Sequence, residues 1–113
     1  MHLILQGVLA PEDLAQLRKG LSELSWGSGK RTAGAAARGV KENLQADGRD
    51  PRAEALERFV VDALYRHPLF EIAARPAKLS RVLFSRYEPG MNYGAHTDDA
   101  LMGAGEGRLR TDL

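Results

Sequence analysis

The segment that decides the interpretation of this chain is Arg86-Tyr87-Glu88-Pro89-Gly90-Met91-Asn92-Tyr93-Gly94-Ala95-His96-Thr97-Asp98-Asp99-Ala100. Its central feature is a histidine and a carboxylate two positions apart, His96 and Asp98. On an extended segment, residues i and i+2 project to the same face, with Cα atoms about 6.6 Å apart. Both side chains can therefore converge on one metal ion.

A pair of this kind supplies two of the three ligands in the two-histidine, one-carboxylate sites of non-haem Fe(II) proteins, which keep coordination positions open. The second histidine is not obvious, because His2 lies beside the chain start and His67 at a predicted helix end. By spacing alone, an exposed polar pair in a turn is the commoner outcome for His96 and Asp98. The aromatic and glycine residues around the pair, after an apolar stretch, favour a site at the mouth of a sheet.

Composition narrows the class of protein. The chain has 113 residues, of which 43% are hydrophobic and 27% charged, as in an ordinary soluble domain. A net charge of +1 gives no electrostatic reason to expect nucleic acid or an anionic membrane as partner. The absence of cysteine excludes disulfide scaffolds and thiolate chemistry. The opening apolar run, residues 1–7, is too short for a signal peptide or membrane helix, so we expect a cytoplasmic protein.

Local patterns predict a mixture of helices and strands. Pro11 and Pro51 each open a predicted helix, the second of which ends at Arg66-His67-Pro68. The glycine-rich, basic stretch 26–40 is predicted to be a long loop. Extended segments are predicted at Leu3 to Val8, Leu79 to Tyr87, Asn92 to Asp98 and Arg108 to Leu113.

Part of the basic stretch superficially resembles a phosphate-binding loop. The residues are Gly27-Ser28-Gly29-Lys30-Arg31-Thr32. Leu24 stands where that motif needs its first glycine, and Arg31 stands where a serine or threonine follows the lysine. A flexible basic loop is therefore the preferred interpretation.

Several motifs taken together resemble the PKHD-type hydroxylases, bacterial members of the prolyl-4-hydroxylase-like, 2-oxoglutarate- and Fe(II)-dependent oxygenases. They are Arg86-Tyr87-Glu88-Pro89-Gly90, Asn92-Tyr93-Gly94, His96-Thr97-Asp98-Asp99-Ala100 and Arg110-Thr111-Asp112-Leu113. The upstream layout is also similar, with a glycine-rich basic stretch that leads into Val40-Lys41-Glu42-Asn43-Leu44-Gln45 and then a helix. The resemblance covers nearly the whole chain.

The resemblance implies an α+β fold with a mainly β core, an incomplete double-stranded β-helix or jelly roll. The core would begin in residues 79–113, and residues 1–78 would form an α/β region with two main helices. His96 and Asp98 would be the first two iron ligands. Tyr87 and Tyr93 would help to bind 2-oxoglutarate through their hydroxyl groups; an aromatic residue at the edge of the core is the alternative for Tyr87.

In that family a second histidine and a basic residue that anchors 2-oxoglutarate lie well beyond the His-x-Asp pair. No histidine follows His96, and Arg108 and Arg110 come too early to be the anchor. We therefore expect these residues to be part of a longer product or a truncated descendant, inactive as it stands.

For the complete product, the resemblance implies a hydroxylase that uses Fe(II) and 2-oxoglutarate, with L-ascorbate as a candidate further cofactor. Its substrate would be a small molecule or a peptidyl side chain, with no nucleic acid or membrane as partner, and a homo-oligomer stays open. The alternative is a non-catalytic interaction or oligomerisation module, in which a sheet edge pairs with another chain.

Overall fold

The computed structural model describes residues 2–98, 100–102 and 105–111. These ranges contain four α-helices: α1 (Pro11–Ser22), α2 (Ala35–Arg38), α3 (Pro51–Arg66) and α4 (Phe70–Ala74). They also contain seven short strands: β1 (Trp26–Ser28), β2 (Lys41–Glu42), β3 (Leu44–Ala46), β4 (Ser85–Arg86), β5 (Asn92–Tyr93), β6 (Leu101–Met102) and β7 (Leu109–Arg110). Two 3-10 turns lie at Gly29–Thr32 and Gly105–Gly107.

Two compact units make up the chain. The first comprises Met1–Ser25 and Ala46–Leu83, and the second comprises Trp26–Gln45 and Phe84–Leu113. The domain boundary at residue 78 stays a prediction.

The first unit is built on the two predicted helices, α1 and α3, which contact each other. Each begins with a proline, and the Asp50 side chain caps α3 by accepting a 2.9 Å hydrogen bond from the Arg52 amide. Leu17 of α1 is buried, and α3 buries two alanines, Ala53 and Ala63. Gly20 of α1 leaves room for the Leu56 side chain of α3. Both helix predictions are confirmed.

His67 ends α3 and ties the amino-terminal segment to it. Its Nδ1 accepts a 3.2 Å hydrogen bond from the Leu69 amide. Its Nε2 therefore carries the proton in the neutral ring and donates to the Gln6 carbonyl at 3.0 Å. A single imidazole thus joins positions near the start of the chain to the end of its longest helix.

The second unit contains small antiparallel sheets. Strand β3 lies between β1 and β4, with Leu44 opposite Arg86. Strands β2 and β5 pair with Lys41 opposite Tyr93, and β6 pairs with β7. The Gly94 amide extends the β2–β5 ladder by donating to the Val40 carbonyl at 2.8 Å. The chain is therefore a mixed fold with helices and antiparallel strands, as the predicted α+β class requires.

Several local predictions were wrong or only partly met, and the extended segment predicted at Asn92 to Asp98 is a strand only over β5 (Asn92–Tyr93). Residues 3–8 form no strand, and Gly7 within them has a φ of +71°, which interrupts an extended segment. The predicted loop 26–40 instead holds β1, a 3-10 turn and α2. The Ser28 hydroxyl accepts a 3.3 Å hydrogen bond from the Lys30 amide at the turn, and α2 is three alanines and an arginine, which are strong helix formers.

The predicted strand 79–87 shrinks to β4, and Leu83 in its apolar centre is 55% exposed. Extended segments form ladders only where a partner strand is available, and β3 pairs here over Leu44 and Gln45 alone. Asp112 and Leu113, at the end of the last predicted strand, lie outside the described residues. Among the described helices, none is long and apolar enough to span a bilayer.

Candidate metal centre

The structure brings His96 and Asp98 together just after β5. The Nε2 atom of His96 lies 3.0 Å from Oδ1 of Asp98. The histidine side chain is 22% exposed, whereas the carboxylate is 91% exposed. The imidazole is therefore mostly covered, and the carboxylate beside it is open to solvent.

Two contacts orient the imidazole. Its Nδ1 lies 2.8 Å from the Gly94 carbonyl oxygen, which can only accept a hydrogen bond, so Nδ1 carries the proton in the neutral ring. Its face stacks on the Tyr93 ring, with centroids 3.7 Å apart and planes 10° apart. In that tautomer the lone pair of Nε2 is available to an ion, whose positive charge would also attract the neighbouring Asp98 carboxylate. A backbone carbonyl that holds the second ring nitrogen is the usual support of a metal-binding histidine.

The separation of the two donors fits neighbouring positions around one ion. Adjacent ligands in an octahedral site with bonds of about 2.1 Å lie about 3.0 Å apart. The observed separation of Nε2 and Oδ1 is 3.0 Å. A neutral imidazole nitrogen and a carboxylate oxygen also suit iron. Across the described ranges, no group of three or more His, Cys, Asp or Glu side chains gathers in metal-binding geometry, so these residues provide no third side chain of this kind beside His96 and Asp98.

The two predicted cosubstrate-binding tyrosines have different neighbours. The Tyr87 hydroxyl accepts a 3.1 Å hydrogen bond from Nδ2 of Asn43, and the residue is 49% exposed. The Tyr93 ring contacts His96 and also lies 5.1 Å from the ammonium nitrogen of Lys41. Tyr93 thus borders the candidate metal centre, while the binding of 2-oxoglutarate by either tyrosine stays a prediction.

Sequence reasoning missed a row of buried polar residues beside these tyrosines. Lys41, Asn43 and Gln45 are 6%, 5% and 6% exposed. They occupy alternate positions on the extended segment that runs through β2 and β3, so they share one face. The intervening Glu42 is exposed and Leu44 half-buried. The alternation of polar residues was the available signal, but polar residues at a period of two ordinarily mark the solvent face of a strand.

Comparison with known proteins finds relatives of this sequence. A PKHD-type hydroxylase of Thioalkalivibrio sulfidiphilus is 46% identical over 113 residues, which are all of this chain and 50% of that protein. A PKHD-type hydroxylase of Picosynechococcus is 50% identical over 106 residues, 94% of this chain and 47% of that protein. This chain is a homologue of PKHD-type hydroxylases. The resemblance noted from the motifs is confirmed.

A third relative gives the same result. The PKHD-type hydroxylase YbiX of Escherichia coli is 42% identical over 108 residues, 95% of this chain and 48% of that protein. No family model matches the chain. The chain spans about half the length of the curated PKHD-type hydroxylases it matches.

Proposed function

We propose that the complete protein is a non-haem Fe(II)- and 2-oxoglutarate-dependent hydroxylase and that His96 and Asp98 are two of its iron ligands. The main observation in support is that Nε2 of His96 lies 3.0 Å from the Asp98 carboxylate while Nδ1 donates a hydrogen bond to the Gly94 carbonyl. The similarity over the whole chain to proteins named PKHD-type hydroxylases supports the assignment.

The proposed core is a jelly roll of which residues 79–113 form the beginning. The antiparallel pairing of β2 with β5, of β3 with β4 and of β6 with β7 is compatible with that architecture. In the proposal, His96 and Asp98 follow strand β5 of this core. The pairing of β5 with β2 then fixes the direction of the chain that leads to the two side chains.

Bound iron with 2-oxoglutarate supplies oxidative decarboxylation coupled to hydroxylation of a substrate carbon. The residues of this chain prepare the site. Gly94 and Tyr93 hold the imidazole in one orientation before an ion arrives. Asn43 donates to the oxygen of Tyr87, which leaves the phenol proton free to donate to a carboxylate of 2-oxoglutarate. Tyr93 is proposed as a second contact of the cosubstrate.

The remaining parts of the proposal rest on the family resemblance. We propose a small-molecule or peptidyl substrate, L-ascorbate as a candidate further cofactor, and a cytoplasmic location without nucleic-acid or membrane partners. The full-length protein is the species for which turnover is proposed.

Metal binding by this chain tests the two ligands directly. Mn²⁺ replaces Fe²⁺ as a probe that does not oxidise during the measurement, and its paramagnetism broadens NMR signals near the ion. We expect broadening centred on His96 and Asp98, and His96→Ala or Asp98→Ala should weaken Mn²⁺ binding by about tenfold or more. His67→Ala is the matched control and should leave the affinity unchanged.

The hydroxylase itself is tested by succinate release from 2-oxoglutarate in the full-length protein. Release that depends on Fe²⁺ and disappears in His96→Ala is the expected result. Mn²⁺ binding that survives both ligand substitutions would contradict the site, and turnover that survives His96→Ala would contradict the reaction.

A further inference from the structure

Lys41 is a buried residue whose ammonium group has no carboxylate partner among the described residues. The residue is 6% exposed. Its three N–H groups find one acceptor among the described side chains, the Thr32 hydroxyl at 3.2 Å, and no described Asp or Glu lies within ion-pair distance. Lysine is rarely buried without a partner, because removing a charge from water is unfavourable unless an opposite charge or several hydrogen bonds replace the hydration.

Neighbouring side chains fix the ammonium in place. The Thr32 hydroxyl donates to the Gln45 side-chain oxygen at 2.7 Å, so its lone pairs remain for Lys41. Gln45 is itself 6% exposed and cannot move away into solvent. The Tyr93 ring, 5.1 Å from Nζ, covers the ammonium from another side and offers a weak cation–π contact. These contacts position the charge, but none of them neutralises it.

The ammonium also lies close to the candidate metal centre. The Tyr93 ring contacts both groups, at 5.1 Å from Nζ of Lys41 and at 3.7 Å from the centre of the His96 imidazole. The distance from Nζ of Lys41 to the centre of the His96 imidazole is therefore at most the sum of these two distances. A small molecule bound at the ammonium would thus lie beside the same aromatic ring as the imidazole.

We propose that Lys41, with Thr32 beside it, is a carboxylate-binding site whose ligand is a small carboxylic acid held next to His96 and Asp98. The anion supplies an opposite charge that the described side chains do not, and it accepts the remaining ammonium hydrogens in charge-assisted hydrogen bonds. The carboxylate belongs either to 2-oxoglutarate or to the molecule that is hydroxylated. The identity of the ligand and its place beside His96 and Asp98 rest on the proposed function. The binding of a carboxylate to Lys41 itself needs no metal.

Acetate is the simplest probe, and the experiment uses the chain as it stands, without metal. NMR signals of the Lys41 side chain and of the Thr32 and Tyr93 residues are followed during titration with sodium acetate against sodium chloride at equal ionic strength. We expect saturable shifts with acetate and not with chloride. If acetate produces no saturable shift at Lys41 in the unsubstituted chain, the proposal is overturned without any variant.

Variants locate the binding. Lys41→Met keeps an unbranched side chain of similar length and removes the charge, so the acetate-dependent shift of Thr32 should weaken by about tenfold or more. Lys30→Met, on an exposed position of the same unit, is the matched control and should bind acetate normally. Identical acetate binding in Lys41→Met would overturn the proposal. Thr32→Val, which removes only the hydroxyl, gives a second and smaller perturbation should Lys41→Met not fold.

Competition identifies the source of the carboxylate. If 2-oxoglutarate displaces acetate from Lys41, the cosubstrate is the ligand. If acetate still binds at saturating 2-oxoglutarate, the carboxylate belongs to the other substrate. His96→Ala separates this inference from the proposed function, because that variant should lose Mn²⁺ and keep acetate. If acetate binds at Lys41 but the unsubstituted chain does not bind Mn²⁺, the proposed metal centre is contradicted and the carboxylate site at Lys41 is not.

Discussion

The imidazole of His96 lies face to face with the phenol ring of Tyr93, with centroids 3.7 Å apart and planes 10° apart. The hydrogen bond from Nδ1 to the Gly94 carbonyl, at 2.8 Å, restrains the same ring at its edge. Rotating the imidazole breaks the hydrogen bond and disturbs the stack together. The two restraints therefore present Nε2 to an incoming ion in one direction, which reduces the entropy lost when the ion binds.

Removal of the stacked ring should weaken metal binding. In Tyr93→Leu the imidazole keeps the Gly94 hydrogen bond but loses its neighbour, so we expect Mn²⁺ affinity to fall by about tenfold, as for other residues that orient metal ligands. Tyr93→Phe retains the ring and should bind Mn²⁺ like the unsubstituted chain. Calorimetric titration measures both, and equal affinities for Tyr93→Leu and Tyr93→Phe would show that the stack does not orient His96.

The hydroxyl of Tyr87 should contribute to stability. It is the hydrogen-bond partner of the Asn43 amide, which is 5% exposed, and in Tyr87→Phe that buried amide loses this partner. The expected loss in the free energy of unfolding is about 1–3 kcal/mol. Urea denaturation measures it. Tyr65→Phe is the control, since the 41% exposed Tyr65 packs on Phe70 through its ring, and equal losses in the two variants would contradict the role of Asn43.

Gly29 should not accept even alanine. A methyl group on its Cα would collide with the side-chain oxygen of Asn43, whose backbone carbonyl also accepts a 2.9 Å hydrogen bond from the Gly29 amide. Gly29→Ala should therefore destabilise the fold by about 1–3 kcal/mol. Gly39 has no atom within 4 Å of the same position, so Gly39→Ala should be neutral or stabilising by up to about 1 kcal/mol. Thermal unfolding of both variants checks the contrast, which the opposite order would refute.

The stability of the first unit should depend on pH through Glu57. Two hydrogen bonds from the Arg81 guanidinium, at 2.8 and 3.1 Å, are the main reason that the pKa of this carboxyl is lowered from 4.5. The Val82 amide, at 3.1 Å, lowers the pKa further, while burial partly opposes the shift. Because the folded-state pKa is the lower one, the carboxylate stabilises the fold above about pH 4.5 and this stabilisation is lost as the pH falls through the folded value.

Glu57→Gln should accordingly reduce the free energy of unfolding at pH 7 by on the order of 1 kcal/mol, with the difference shrinking towards pH 3. Urea denaturation across that pH range measures the effect. Glu54→Gln is the control, because the Glu54–Arg58 ion pair is exposed, at 58% and 66%, and surface pairs contribute little. A difference between Glu57→Gln and the unsubstituted chain that stays constant with pH would contradict the assignment.

The two long helices, α1 and α3, were predictable because their signals are local. Pro11 and Pro51 occupy the first turn of α1 and α3, and the apolar stripe needs no knowledge of the partner. The strands were harder, because Leu44 pairs with Arg86 far along the chain and each strand is only as long as its ladder. The same reason separates the found site residues from the missed ones. His96 and Asp98 belong to one short motif, whereas the burial of Lys41 is a product of tertiary packing.

The tie between Gln6 and His67 has a kinetic consequence. It joins positions 61 apart in sequence through one hydrogen bond, so the loop entropy lost on closure is large relative to the enthalpy gained. Such a contact forms late on a folding pathway, after local helices have already found one another. Amide hydrogen exchange at the amino-terminal segment should then report the most frequent local opening of the first unit. The free energy of that opening should be well below the free energy of global unfolding.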